Sequence, residues 1–453
     1  MRLNKRQLNL PLSISKSVEF PEQYPIQRNG SLNKIDPQDR AFHDWYRFVL
    51  SFPPHLVSGY LDRFELDEKQ IVLDPFCGTG TTLVEGKLLG IRTIGVEASL
   101  FAHFASSVKI DWKIDSDLLK KEAHHIGDEA VRLLKAQGID DRLPFDGSLK
   151  DIPLRSLDPE ATKLLLTNSI SPLPLHKTLI LYDCIKKHED KRYFRHALLA
   201  LANALVYKIS NLHFGPEVGV GRPKSDVPVV SSWLFEIEKM CKDLKLVVGR
   251  PFPESHVYWG DARDISRIIP PNSVDAVITS PPYPNEKDYS RTTRLESVIL
   301  GFIKSKEELR GMKKKFVRSN TRSVYHEDDD DKWIANHLEI LRLAESIEKR
   351  RIELGKNSGF ERMYGRVTKL YFGGMAHHLA ELRSVLRTGA QLAYVVGDQA
   401  SYLRVMIRTG KLLAEIAQDL GYELTRIDLF RTRYATATKE NLREEVVVLR
   451  WPG

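Results

Sequence analysis

Residues 71–99 read IVLDPFCGTGTTLVEGKLLGIRTIGVEAS. Ile71 to Asp74 is an apolar run of the length of a short buried strand. Glycines follow at 78 and 80, LVEGKLLG then carries a helical pattern closed by Gly90, and RTIGVEAS reads as a second strand ending near Glu97. Strand, glycine turn, helix, strand and acid in that order predict the first half of a doubly wound, mostly parallel α/β sheet.

The turn Asp74-Pro75-Phe76-Cys77-Gly78-Thr79-Gly80-Thr81 predicts a small-molecule cradle. Its glycines let backbone approach a ligand, and the helix start offers unpaired N–H groups. No lysine follows the glycines, as a nucleoside triphosphate loop requires, and the third glycine of a dinucleotide turn is missing. Glu97, at the next strand end, is placed to accept from both hydroxyls of a ribose. Asp261, in WGDARD at a third strand end, is expected to accept from the exocyclic amine of an adenine. An ordinary cap or loop role is the bland alternative for that acid.

Outward from this core, the α/β rhythm stops and returns. Residues 1–40 are polar, with four prolines and no sustained period, and read as an N-terminal arm. FHDWYRFVLSFPPHLVSGYLDRF (42–64) predicts two short helices broken by Pro53-Pro54, within a first catalytic portion, 41–110. Residues 111–254 are charged and mostly helical and read as an insertion that is a candidate for target recognition, including the glycine-rich loop FGPEVGVGRPKSD (214–226). Strands return in HVYWGDARD and SVDAVITSPPYPN (255–302), a charged interruption spans 303–365, and residues 366–453 add QLAYVVGDQ, a helix over 408–421, ELTRIDLF and EEVVVLRW.

Composition limits the classes. The 453 residues are 42% hydrophobic and 28% charged, which is globular, and no apolar run reaches a membrane span. No secretory leader is legible, so a cytoplasmic location is the default expectation. Three widely spaced cysteines exclude a disulfide framework and a CxxC zinc site, and the pairs His124-His125 and His377-His378 do not read as ligands, so no metal is expected. A net charge of +8 is compatible with a polyanionic partner without demanding one.

A second chemical constellation is Thr279-Ser280-Pro281-Pro282-Tyr283, directly after the apolar run VDAVIT. Successive prolines fix φ and remove donors, so the Ser280 hydroxyl and neighbouring carbonyls form a rigid set of acceptors suited to a planar NH₂ group. Tyr283 offers a flat face to an extruded base.

DPFCGTGTT together with TSPPY resembles the amino-group DNA methyltransferases that use S-adenosylmethionine, and within them the N4-cytosine branch. GVEAS is similar to the family's ribose-binding acid, GDARD to its adenine-contacting acid, and YPNEKDYSRTTRLE and YFGGMAHHLAELRSVLRTGAQLAYVVGD (371–398) to segments of the catalytic domain. The resemblance implies a SAM-dependent methyltransferase fold in which Asp74, Pro75, Phe76, Gly78, Thr79, Gly80, Thr81, Glu97 and Asp261 hold S-adenosylmethionine. It implies that Ser280 and the Pro281 carbonyl accept from the target amine, with Pro282 completing the frame and Tyr283 stacking on a flipped cytosine. Double-stranded DNA is the implied substrate and a cognate restriction endonuclease the implied partner. The alternatives are N6-adenine methylation of DNA, which the same frame fits, and RNA guanine-N2 methylation, whose enzymes share the cradle but usually carry Asp or Asn in place of Ser280. The role of Asp261 assumes that the long segment after Glu97 is an insertion.

Between Lys304 and Arg322 lie eight basic residues and two acids, followed by Glu327 and Asp328–Asp331. Lys313, Lys314, Lys315, Arg318 and Arg322 are therefore expected to follow a phosphate backbone. The competing reading is a solvated face neutralised by the acidic run behind it.

Overall fold

The computed structural model describes residues 39–47, 51–142, 145, 152–215, 217–285, 287–435 and 439–453. Most of the arm expected at 1–40 lies outside them. Seven strands form the central sheet: β1 (Ile71–Asp74), β2 (Arg92–Glu97), β3 (Ser255–Trp259), β4 (Val274–Thr279), β5 (Leu386–Gly397), β6 (Glu423–Ala435) and β7 (Glu440–Arg450). Their order is β3-β2-β1-β4-β5-β7-β6, parallel except that β7 runs against both neighbours. This is the α/β fold of S-adenosylmethionine-dependent methyltransferases. The chain reverses its winding direction between β1 and β4, and a crevice opens there at the strands' carboxyl ends.

Both faces of the inner strands β1, β4 and β5 are largely buried, which is why their apolar runs are nearly continuous, whereas the edge strands β3 and β6 consist mostly of half-buried and exposed residues. Val72, Ala276, Ile278, Ala393 and Val395 face α1 (Pro54–Arg63), while Leu73, Val277, Leu392, Tyr394 and Val396 form the opposite core. The prolines of 53–54 begin a helix instead of breaking one. Pro54 occupies the first helical position, where its missing N–H costs nothing, and only a single 3-10 turn, His43–Trp45, precedes it among the described residues. Helix α2 (Thr81–Leu88) starts at Gly80, with φ +84°, and closes before Gly90, with φ +79°. Helix α3 (Leu100–Lys109) is capped by the Ser99 hydroxyl.

Between α3 and β3, helices α4 (Ser116–Lys135), α5 (Pro172–Lys186), α6 (Phe194–Ala204) and α7 (Val229–Lys245) bury Ile126, Leu181, Leu199 and Trp233 in one core. That core continues into Phe42, Trp45, Leu83 and Phe101, so these helices are fused to the cradle side of the sheet. A two-stranded antiparallel ribbon, Leu212–Phe214 with Val218–Val220, stands apart from the central sheet. The second interruption contributes α8 (Lys306–Lys314) and α9 (Leu338–Glu353), the latter packed by Ile340 and Ile347 into the core of α10 (Tyr364–Leu382), while α11 (Thr409–Asp419) covers the same face. Among the described residues no helix is long and apolar enough to cross a membrane.

Candidate functional site

A cavity of about 570 Å³ occupies the crevice and is lined by both sequence constellations. One wall is the turn from Pro75 to Thr79 with Thr81, Glu97, Ala98 and Ser99; facing it are Ser280, Pro281, Pro282 and Tyr283.

The cradle is closed by local contacts. Glu97 accepts from the Gly78 N–H at 2.9 Å through one carboxylate oxygen and from the Ser99 N–H at 2.7 Å through the other. Each oxygen keeps a free lone pair beside the cavity, which fits the two hydroxyls of a ribose. Burial pushes the Glu97 carboxyl up to about 7, against the backbone hydrogen bonds of Ser99, Gly78 and Ala98 that oppose it. Gly80 has φ +84°, and a Cβ there would stand 3.1 Å from the Ser106 side chain, so a side chain is excluded on two counts. The backbone N–H groups at the start of α2, the Glu97 carboxylate and the Phe76 ring together fit S-adenosylmethionine.

Asp74 has a different place from the one expected of it. It is fully buried and absent from the cavity lining. Its carboxylate accepts from Thr82 and Thr279 hydroxyls at 2.6 Å each and from the Phe76 N–H at 3.1 Å. It therefore ties the end of β1 to the end of β4 and sets the cradle beside the tetrapeptide. Burial pushes its pKa up to about 6.

Asp261 is a second correction. One of its oxygens accepts from the backbone N–H of Arg263 at 2.9 Å and the other from that guanidinium at 2.6 Å, and Arg263 also grips Asp330. The carboxylate is committed to a buried ion triad, and only its neighbours Gly260 and Ala262 line the cavity. The expected adenine contact by this side chain is replaced by a clamp that fastens the acidic run of the second interruption to the end of β3.

The tetrapeptide is held from far along the chain. Ser280 donates its hydroxyl hydrogen to the Val395 carbonyl at 3.2 Å, which leaves its lone pairs as acceptors. The Tyr283 N–H donates to the Tyr289 hydroxyl at 3.0 Å. Its ring lies so close to Gly397 that a Cβ there would meet it at 2.9 Å. Asn285 and Asn320 extend the hold: the Asn285 N–H donates to the Ser319 carbonyl, and Asn320 Nδ2 to the Lys287 carbonyl.

Of the five cations expected to meet phosphate, Lys313 and Arg318 are corrected. Both are buried. Lys313 Nζ bonds Asp288 at 2.9 Å, and Arg318 makes a two-pronged pair with Asp328 at 2.8 Å. Lys314 pairs with Glu327 at 2.6 Å, Lys315 lies over the Trp259 ring and lines the cavity, and Arg322 sits over Phe360. The acidic run folds back onto the basic one, so this segment forms a cavity wall through Phe316, Val317 and Asn320.

Other lining residues carried no local signal: Glu217 from the ribbon, Lys287, Arg431, Arg433 and Glu444. Arg431 and Glu444 are direct cross-strand partners on β6 and β7, joined by a two-pronged ion pair. Spacing alone offered one clue, because residues 431 and 433 share a face of any strand.

Comparison with known proteins places this geometry. Residues 18–105, which include the cradle and Glu97, match the family model described as DNA methylase. The Type II methyltransferase M.BsoBI of Geobacillus stearothermophilus is 24% identical over 446 residues, covering 91% of this chain and 85% of that protein. M.AvaI of Nostoc sp., also a Type II methyltransferase, is 24% identical over 453 residues, covering 93% and 88%. A tRNA (guanine(10)-N2)-dimethyltransferase of Methanocaldococcus jannaschii is 32% identical over 81 residues only, 18% of this chain and 20% of its own. The first two similarities run through both interruptions of the sheet; the third does not.

Proposed function

Given that this chain is an S-adenosylmethionine-dependent methyltransferase of the amino-group DNA methyltransferase family, we propose that it methylates the exocyclic N4 amine of a cytosine extruded from duplex DNA, as the modification enzyme of a restriction or defence system. The observation that carries the proposal is the meeting of the cradle and Ser280-Pro281-Pro282-Tyr283 across one cavity.

S-adenosylmethionine, when bound, supplies an electrophilic methyl group on a sulfonium sulfur. Phe76, Gly78, Thr79, Thr81 and Glu97 are the residues that hold it, with Pro75 shaping the turn. Ser280 and the Pro281 carbonyl accept the two hydrogens of the target amine, which draws the nitrogen lone pair out of conjugation and aims it at the cradle. Pro282 keeps that frame rigid, and Tyr283 supplies the stacking face for the base. Cys77 is buried in the cradle turn, and burial followed by the Glu97 charge pushes its thiol well above the ordinary range, so it is not poised as a nucleophile. Direct transfer to nitrogen is the mechanism this arrangement supports.

The test is incubation with methyl-labelled S-adenosylmethionine and either mixed-sequence duplex DNA or bulk tRNA, followed by digestion and mass analysis of nucleosides. N4-methylcytosine in the DNA is expected. N6-methyladenine would overturn the choice of base, and label confined to tRNA would overturn DNA as the substrate.

A further inference from the structure

Two cations on the cavity rim have no counter-ion among the described residues. Lys287 lies four residues beyond Tyr283, and Arg433 lies two residues beyond Arg431 on β6; all line the cavity. The acids nearby are engaged by other groups. Glu444 is gripped by Arg431, and Glu217 faces Arg291 at 3.8 Å. Among the described residues, neither Lys287 nor Arg433 has an ion pair or a side-chain hydrogen bond. Burial first, and then the Arg433 charge, hold the Lys287 ammonium below its ordinary value, while Glu444 and Glu217 oppose that shift. Arg431 and Arg291 thus take the two described carboxylates near this rim, and Lys287 and Arg433 repel one another across it. That arrangement is unfavourable in the free protein and becomes favourable when an anion enters between them.

We propose that Lys287 and Arg433 clamp the backbone phosphate next to the extruded nucleotide. The inference rests on the DNA reading above. A base that reaches Ser280 and Tyr283 stays joined to its sugar, so its own phosphate is drawn to the rim where Lys287 and Arg433 stand. Arg433 offers a planar fork to phosphate oxygens and Lys287 a point charge, a complementary pair for the two non-bridging oxygens of one singly charged phosphodiester. Because the phosphate arrives only when the base leaves the stack, the clamp stabilises the extruded state in preference to the first encounter. It takes the role that the cation-rich segment 304–322 was expected to fill.

The experiment compares the full chain with K287Q, R433Q, the double variant and K287R. It reads affinity for mixed-sequence duplex DNA as a function of salt, the single-turnover methylation rate at saturating DNA, and S-adenosylmethionine affinity as a check on folding. One phosphate neutralised corresponds to a salt slope of roughly 0.9. The double variant is expected to lose about that much slope and to slow at saturating DNA, with S-adenosylmethionine affinity unchanged and K287R close to the wild type. Once the methylated base is mapped, a duplex with a neutral methylphosphonate beside it should lower the wild type to the level of the double variant and leave the variant unaffected. An unchanged slope, or a further loss in the variant on the methylphosphonate duplex, would overturn the clamp. A wild type that methylates no DNA would instead overturn the functional reading on which the clamp rests.

Discussion

The two turns that face each other across the cavity are built in opposite ways. The cradle is closed by partners nearby in sequence: Glu97 holds the N–H groups of Gly78 and Ser99, and Gly80 caps α2. The tetrapeptide is positioned by Val395 under Ser280 and Gly397 under the Tyr283 ring, both more than a hundred places away, together with nearer holds from Tyr289 on the Tyr283 N–H and Ser319 on Asn285. Asp74 bridges the two, through Thr82 on one side and Thr279 on the other, and the Thr82 hydroxyl also reaches the Ile278 carbonyl. On the proposed function, cofactor binding would therefore be a property of one continuous segment, and presentation of the amine acceptor a property of the whole sheet.

Separate damage to the two turns should produce separate losses. Ser280→Ala removes the acceptor proposed for the reacting nitrogen and is expected to lower the single-turnover rate by about 10²-fold, the scale of one group acting on a reacting centre. S-adenosylmethionine affinity, measured by calorimetry, should not change; if it falls in parallel, the two turns are not separable. Glu97→Ala should do the reverse, weakening S-adenosylmethionine by about 2 kcal/mol, the range of a hydrogen bond to a charged group, with a smaller effect on rate once the cofactor saturates.

Gly397→Ala acts on the tetrapeptide from a distance. Its new Cβ would press on the Tyr283 ring at 2.9 Å. It is expected to cost about 1–3 kcal/mol of stability by overpacking and to slow methyl transfer, while cofactor affinity holds. Normal rates in this variant would show that Tyr283 is not positioned by β5.

The smallest effect concerns protons. With its carboxyl raised to about 7, Glu97 is neutral below that value and charged above it. The charged form is the better acceptor for hydroxyls, so S-adenosylmethionine affinity should rise with pH through about 7 and flatten above it. Glu97→Gln should abolish the dependence, and a persistent slope would assign it to another group, with Asp74, raised to about 6, the next to test.

Much of this was legible because the relevant physics is local. The apolar runs at 71–74, 274–279 and 391–397 become buried strands, and the glycines at 80 and 90 take the left-handed conformations that bound α2. The Pro53-Pro54 pair was misread because proline is compatible with the first turn of a helix as well as with its interruption.

The sequence alone determined the first strand–turn–helix–strand unit, its glycine turn and the rigid Ser280–Tyr283 tetrapeptide, since hydrophobic period, glycine conformation and proline rigidity act between neighbours in the chain. Only the tertiary structure decided which charges are available. It buried Lys313 against Asp288, Arg318 against Asp328, and Arg263 between Asp261 and Asp330, and it left Lys287 and Arg433 on the rim without a counter-ion among the described residues. The reason is that an ion pair depends on distance and burial in space, and a run of like charges in sequence fixes neither.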